Sequence, residues 1–290
     1  MSNFHQDIFI GEKIQLGYFF KRAGENIIIL FPGFGQSARH YVYFANQLHA
    51  SFSILAIDHF YHGDSKAIDE NTAIDQEDLN ATISDLLDFL GFKHPICILG
   101  GFSFGNWMAA ACLHSEQLKP KAWLVMSPPS YRFSGLFRFA TRNRLGKLVF
   151  RFYAVHFSQL MRVLLLLQKL GLVSSHKIKM ATKQVEDSSK SQRLYRNWKL
   201  MRQFVPHWQN CIKLAQNKKM KVLFTNGVED KITPADELKK QFEQVSEFEI
   251  LDFQGGHTFA SDEIIQQINL IILELNKQRK FEQDSLTLKK

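Results

Sequence analysis

Ile96-Cys97-Ile98-Leu99-Gly100-Gly101-Phe102-Ser103-Phe104-Gly105-Asn106-Trp107-Met108-Ala109-Ala110-Ala111 is the stretch on which the reading of the fold turns. The apolar run Ile96–Gly100 is short and unbroken, as expected of a strand buried on both faces. The small and apolar residues from Asn106 to His114 predict a helix. Between them stands Gly101-Phe102-Ser103-Phe104-Gly105, a G-x-S-x-G pattern. A serine on a sharp strand-to-helix turn has its hydroxyl pushed into the cleft above the sheet, and flanking glycines keep side chains from colliding there. The following helix N-terminus aims backbone N–H groups at the same point. The plainer alternative is a serine that only caps a helix after a glycine-rich turn.

The alternation continues on both sides of this segment. Upstream, Ile8–Ile10 and Ile14–Phe20, broken by Gly11, predict an opening antiparallel hairpin. Ile27–Phe31 predicts a buried strand, Ala38–Ala50 a helix, Phe52–Ile57 a strand and Ile74–Leu90 a helix. Downstream, Ala122–Met126 is a fourth buried strand. From Tyr131 to about Cys211 the pattern is helical and basic. Strands then resume at Val222–Thr225 and Phe248–Phe253, with helices at Pro234–Val245 and Glu263–Lys277. The last dozen residues are expected to be a frayed tail. The fold class is therefore α/β: a mostly parallel central sheet with helices on both faces, interrupted by a helical insertion. The expected division is a core of residues 1–130 and 212–290 with a helical cap at 131–211.

Four further segments accompany the elbow. Phe31-Pro32-Gly33-Phe34-Gly35 follows a predicted strand. So do Asp58-His59-Phe60-Tyr61-His62-Gly63-Asp64-Ser65, Asn226-Gly227-Val228-Glu229-Asp230-Lys231-Ile232-Thr233-Pro234 and Gly255-Gly256-His257-Thr258-Phe259. Together with the elbow they resemble the α/β-hydrolase family over nearly the whole chain outside the cap and the tail. The second segment is similar to that family's D-x-x-G-H-G-x-S loop, with Tyr61 in place of its first glycine. The resemblance implies a catalytic triad in the order Ser103, Asp230, His257. It also implies an oxyanion hole made by the backbone amides of Phe34 and Phe104, each donor worth roughly 2.7–4 kcal/mol of transition-state stabilisation.

The residues also bear on these roles directly. Serine needs a base to take its proton. Of eleven histidines, His257 lies on a Gly-Gly loop after the last predicted strand, on the sheet edge that carries Ser103. His59 and His62 are assigned to loop shaping. The base needs an acid to hold its tautomer. Asp230 lies 27 residues before His257, and Glu229 beside it is the rival. Asp230, followed by Ile232 and Pro234, fits the family's acid loop better. The strand before the cap ends Met126-Ser127-Pro128-Pro129 and offers no carboxylate. Where the family often carries His-Gly in the oxyanion loop, this chain has Pro32-Gly33, which leaves the backbone donor but raises the question of what braces the loop.

Composition bounds the rest. The chain has 290 residues, 45% of them hydrophobic, with 26 Phe and a formal net charge of +8. So many aromatics imply a bulky core or a large apolar pocket. The charge is unevenly spread: no Asp or Glu lies between Gln117 and Val185, where there are 13 Lys or Arg. The three cysteines, Cys97, Cys112 and Cys211, fit no metal spacing, and nothing suggests an oxidising compartment. The opening MSNFHQDIFIGEK has no signal-peptide pattern, and the most apolar segment, Val163–Leu167, is too short to span a bilayer. A cytoplasmic location is expected. The basic, Phe- and Leu-rich cap admits three readings: an ordinary cap with solvated cations, an interfacial cap resting on an anionic membrane or amphiphile, or a nucleic-acid binder. Phe next to Leu suits lipid better than bases, so nucleic acid is disfavoured.

The expected activity is hydrolysis of a carboxylic ester or thioester with a hydrophobic acyl or alkyl portion, through an acyl-enzyme on Ser103. An acyltransferase or a carbon–carbon bond hydrolase would use the same triad. A non-catalytic lipid- or membrane-binding protein on the same fold is the alternative of another class. No metal or organic cofactor is implied, since the triad needs neither.

Overall fold

In a computed structural model of the protein, residues 4–129, 131–169, 188–233 and 236–287 are described. In chain order, β1 (Phe4–Ile10) and β2 (Ile14–Lys21) form the opening hairpin. Its turn is closed by the Gly11 amide donating to the Ile14 carbonyl at 2.9 Å. Then come β3 (Asn26–Phe31), α1 (Val42–Gln47), β4 (Phe52–Ile57), the short β5 (Lys66–Ala67) and α2 (Gln76–Phe89). These are followed by β6 (Cys97–Phe102), α3 (Asn106–Cys112) and β7 (Ala122–Met126). Four helices come next: α4 (Tyr131–Arg142), α5 (Arg144–Val155), α6 (Phe157–Lys169) and α7 (Ser188–Met201). The chain ends with α8 (Trp208–Asn217), β8 (Lys221–Gly227), α9 (Asp236–Glu243), β9 (Glu249–Phe253) and α10 (Asp262–Thr287).

The nine strands form one sheet in the order β1-β2-β4-β3-β6-β7-β8-β9, with β5 paired to β2. Pairings from β4 to β9 are parallel, and those of β1, β2 and β5 antiparallel. Every residue of β3, β4, β6 and β7 is buried, which is why these strands read as unbroken apolar runs rather than alternating ones. Alternate residues serve opposite faces. Ile28, Leu30, Ile98 and Leu124 pack in one cluster with Ile264, Ile268, Ile271, Ile272 and Leu275 of α10. On the other face Trp123 meets Trp208 of α8 and Phe242 of α9, at ring separations of 6.1 and 5.5 Å. Much of the aromatic content is therefore core.

β3 lies between β4 and β6, so the strand order reverses there. In such sheets the crevice at the carboxyl ends of the two strands flanking the reversal is the ligand site. The loop after β3 and the elbow after β6 both open onto it.

Two elements differ from the sequence expectation. The helix predicted over Ala38–Ala50 is a 3-10 turn, Ala38–Tyr41, followed by the six-residue α1. Tertiary bonds hold that entry: the Ala38 amide donates to Asp58 Oδ1 at 2.6 Å, and Tyr41 Oη to the Phe31 carbonyl at 3.0 Å. The frayed tail is also corrected, because α10 continues to Thr287. Beyond its apolar stripe it is held by polar ties, Asn276 donating to Ser51 Oγ and Arg279 to Asn26 Oδ1. Of the predicted helix Pro234–Val245, residues 236–243 are helical, and Pro234 lies outside the described residues.

The chain divides into two compact units, Met1–Tyr131 with Gln203–Lys290, and Arg132–Arg202. The whole sheet belongs to the first. In the second, α5 packs on α7 through Phe150, whose ring lies 5.4 Å from Tyr195 and 5.0 Å from Trp198. Ser191 Oγ donates to the Ala154 carbonyl at 2.7 Å across the same contact. All regular structure among the described residues of this unit is helical.

Candidate active site

Ser103 follows β6 at once, with φ of +49°, a left-handed conformation costly for any residue with a Cβ. The glycines two residues to either side of it are required for steric reasons. A Cβ on Gly105 would stand 2.1 Å from the Phe31 carbonyl oxygen, and one on Gly101 2.5 Å from the Asn106 amide nitrogen. Asn106 Nδ2 donates to the carbonyls of Ser103 and Met126, both at 2.9 Å, and so ties the turn to β7.

The loop after β3 lies against this turn. An added Cβ on Gly33 would be 3.2 Å from Ser103 Cβ. The Phe34 and Phe104 rings meet edge to face at 6.1 Å. The two segments that carry the candidate oxyanion amides are thus adjacent. The brace in the absence of His-Gly is local: the Gly33 amide donates to Gln36 Oε1 at 3.2 Å. Asp58, nearly buried, fixes the end of the loop through Ala38 and also accepts from the Asp64 amide at 3.3 Å. Burial raises its carboxyl pKa, and these amides work against that rise. Tyr61, in the position where the family has glycine, adopts φ of +58°.

His59 and His62 pack behind the two phenylalanines. The His59 ring stacks on Phe104 at 5.0 Å, and the His62 ring meets Phe34 at 4.7 Å. Burial first, and the neighbouring His62 second, push the His59 pKa well below its ordinary value. It is therefore a neutral packing residue beneath the loop.

Asp230 and His257 come from the loops after β8 and β9, which are parallel neighbours in the sheet. Asp230 Oδ2 lies 2.7 Å from His257 Nδ1. The Asp230 side chain is fully buried and the His257 side chain 13% exposed. Asp230 Oδ1 accepts from the amides of Ile232 and Thr233, both at 2.9 Å, a turn in which the aspartate caps the backbone after it. Burial works to raise the carboxyl pKa. The hydrogen bond to His257, the two amides and the charge of the imidazole outweigh it and hold the group at about 2. Glu229 is exposed.

Thr233 is a member of the site that the sequence reading passed over. Its Oγ1 lies 3.0 Å from Asp230 Oδ2, 3.1 Å from His257 Nδ1 and 3.3 Å from the Ser127 carbonyl. It links the acid, the imidazole and the end of β7. The signal available in the sequence was a threonine three residues after the aspartate, the spacing of a side-chain-capped turn.

The Phe102 ring, one residue before Ser103, packs on the His257 imidazole at 4.6 Å, which sets the imidazole beside the elbow. Among the described residues no hydrogen bond joins Ser103 to His257. Such nucleophile–base contacts are often long before substrate binds and tighten with it. An ionised carboxylate on Nδ1 favours the tautomer with its proton there and leaves Nε2 as the acceptor.

The sequence matches the family described as serine aminopeptidase, S33, over residues 23–256. No curated protein matches it. Among solved structures it is similar to MGS-M2, an α/β-hydrolase enzyme from a Medee basin deep-sea metagenome library. That likeness has 17% identity and a TM-score of 0.58, and covers 92% of this chain and 96% of the other. It is also similar to an esterase from Pyrococcus furiosus, with 14% identity, a TM-score of 0.57, and 96% and 91% coverage. The thioesterase domain from the curacin biosynthetic pathway matches with 13% identity, a TM-score of 0.55, and 93% and 99% coverage. At these identities the likenesses establish the fold.

Proposed function

The chain belongs to the serine aminopeptidase S33 family of α/β hydrolases, and from that premise we propose that it is a serine hydrolase of carboxylic esters or thioesters with a hydrophobic acyl or alkyl portion. The observation that carries this reading is the buried Asp230–His257 pair at 2.7 Å, on the sheet edge where Ser103 stands strained on its elbow. Ser103 Oγ attacks the carbonyl carbon while His257 Nε2 takes its proton, and Asp230 stabilises the imidazolium. The amides of Phe34 and Phe104 receive the oxyanion. Collapse of the tetrahedral intermediate expels the alcohol or thiol, which takes the proton from His257. Water then attacks the acyl-enzyme by the same route and regenerates Ser103.

The preference for a hydrophobic substrate is supported by the half-buried Phe34, on the loop that lies against the serine. The test is labelling by a fluorophosphonate probe. The wild-type protein should label and Ser103→Ala should not, with turnover lowered on the order of 10⁶-fold. Equal labelling of the two, or none of the folded wild type, would overturn the serine mechanism. A panel of esters and thioesters of graded chain length, with an aminoacyl arylamide included because of the family's description, identifies the substrate class. Fastest turnover of the arylamide would replace the ester reading with a peptidase one.

A further inference from the structure

The second unit, about a quarter of the chain, carries nine of the nineteen exposed large apolar side chains among the described residues. Five of them lie on α5: Leu145, Leu148, Val149, Phe152 and Val155, each between 51% and 69% exposed. Their spacing of i, i+3, i+4, i+7 and i+10 makes one continuous stripe along the helix. This is not the face by which α5 is held. The packed side presents Phe150 to Tyr195 and Trp198 and buries Ala154. α5 therefore has a second apolar face that packing inside its own unit leaves in water. Val163, Leu165 and Leu166 of α6 are exposed as well.

Cations accompany it. Between Tyr131 and Lys169 there are eight Lys or Arg and no Asp or Glu. On α5 the exposed Arg144, Lys147 and Arg151, at i, i+3 and i+7, form a row that flanks the stripe. An apolar stripe beside a row of cations is the pattern of a helix lying in the plane of an anionic lipid surface. There the side chains enter the headgroup–acyl boundary and the cations meet phosphates.

We propose that this face of α5 docks on an anionic phospholipid surface. A lipid surface satisfies both halves of the pattern. A nucleic acid would meet the cations and leave Leu145, Leu148, Val149 and Val155 in water, since aliphatic side chains do not supply the aromatic platforms on which bases stack. A second copy of the chain would bring two cationic faces together with no carboxylate from α4, α5 or α6 to offset them. None of the helices searched is long and apolar enough to cross a membrane, so the contact is with the surface. The inference does not depend on the hydrolase reading.

The experiment is co-sedimentation of the full-length protein with phosphatidylcholine vesicles, and with vesicles in which part of that lipid is replaced by phosphatidylglycerol. Wild type should pellet with the anionic vesicles, lose binding as salt rises, and stay in solution with the neutral ones. Replacing Arg144, Lys147 and Arg151 together by Gln should weaken anionic binding on the order of 10²-fold, about fivefold for each charge. Leu148→Glu should remove it. Circular dichroism and thermal melting verify that both variants are folded, and Leu145→Glu serves if Leu148→Glu is not. Equal binding to both vesicle types, binding to neither, or Leu148→Glu binding like wild type would overturn the proposal. So would a DNA duplex bound in preference to vesicles, or a stable dimer in ultracentrifugation that Leu148→Glu dissociates.

Discussion

Asp230 and Glu229 are neighbours in the chain and opposites in environment. The Asp230 side chain is fully buried and bonded to His257, whereas Glu229 is exposed. The mechanism therefore predicts different outcomes for the two. Asp230→Asn should lower kcat by about 10⁴-fold, because an amide no longer enforces the Nδ1–H tautomer. Glu229→Gln should leave kcat near wild type. Steady-state kinetics on the best ester of the panel measures both. Asp230 stood out in the sequence through its motif. The spacing of Thr233 from it announces only their local turn, and not the contacts by which Thr233 also reaches His257 and the Ser127 carbonyl, far away in sequence.

Among elements, the turn from β6 to α3 is the most constrained. The Gly105 Cα sits so near β3 that a methyl group would fall 2.1 Å from the Phe31 carbonyl oxygen, a backbone atom that cannot swing aside. Gly105→Ala should destabilise the protein by about 1–3 kcal/mol, read from the midpoint of urea unfolding. It should also slow fluorophosphonate labelling, since the displaced strand carries the Phe34 loop. Buried strands such as Phe52–Ile57 and Ala122–Met126 were legible to the residue because an apolar run bounded by turn residues is a local signal. The helix over Ala38–Ala50 was not, because the bonds that convert its start to a 3-10 turn come from Phe31 and Asp58. Part of the reason that α10 outruns its predicted end at Lys277 is likewise distant: Arg279, just beyond that end, is tied to Asn26, far away in sequence.

For the molecule as a whole, the Asp230 carboxyl couples stability to acid. Its pKa is about 2 when folded, against about 3.9 for an unperturbed aspartate. Between these values the unfolded chain binds a proton that the folded chain does not, so stability falls as pH falls through that window. The contribution is fully present above about pH 4 and amounts to about 2–3 kcal/mol. Urea unfolding at pH 5 and near pH 2 should show this loss in wild type. Asp230→Asn should lose less over the same interval by about that amount. On the same scale, the uneven charge read along the chain falls mostly in one unit. The acid-free run from Gln117 to Val185 spans the first three helices of the second unit.

Local order and chemistry were written in the chain: the strand and helix periods, the glycines around Ser103, and the Ser, Asp, His order of the loops. Each depends on residues within a few positions of one another, so reading along the chain recovers it. Contacts between loops far apart in sequence were not. The sequence preferred Asp230 to its neighbour Glu229 by motif, and the fold adds the physical difference, burying one against His257 and leaving the other in water. It likewise showed apolar and cationic residues interleaved from Arg144 to Val155, but a helix apolar on two sides does not say which side its own unit covers. Packing of Phe150 on α7 made that choice and left the stripe from Leu145 to Val155 exposed.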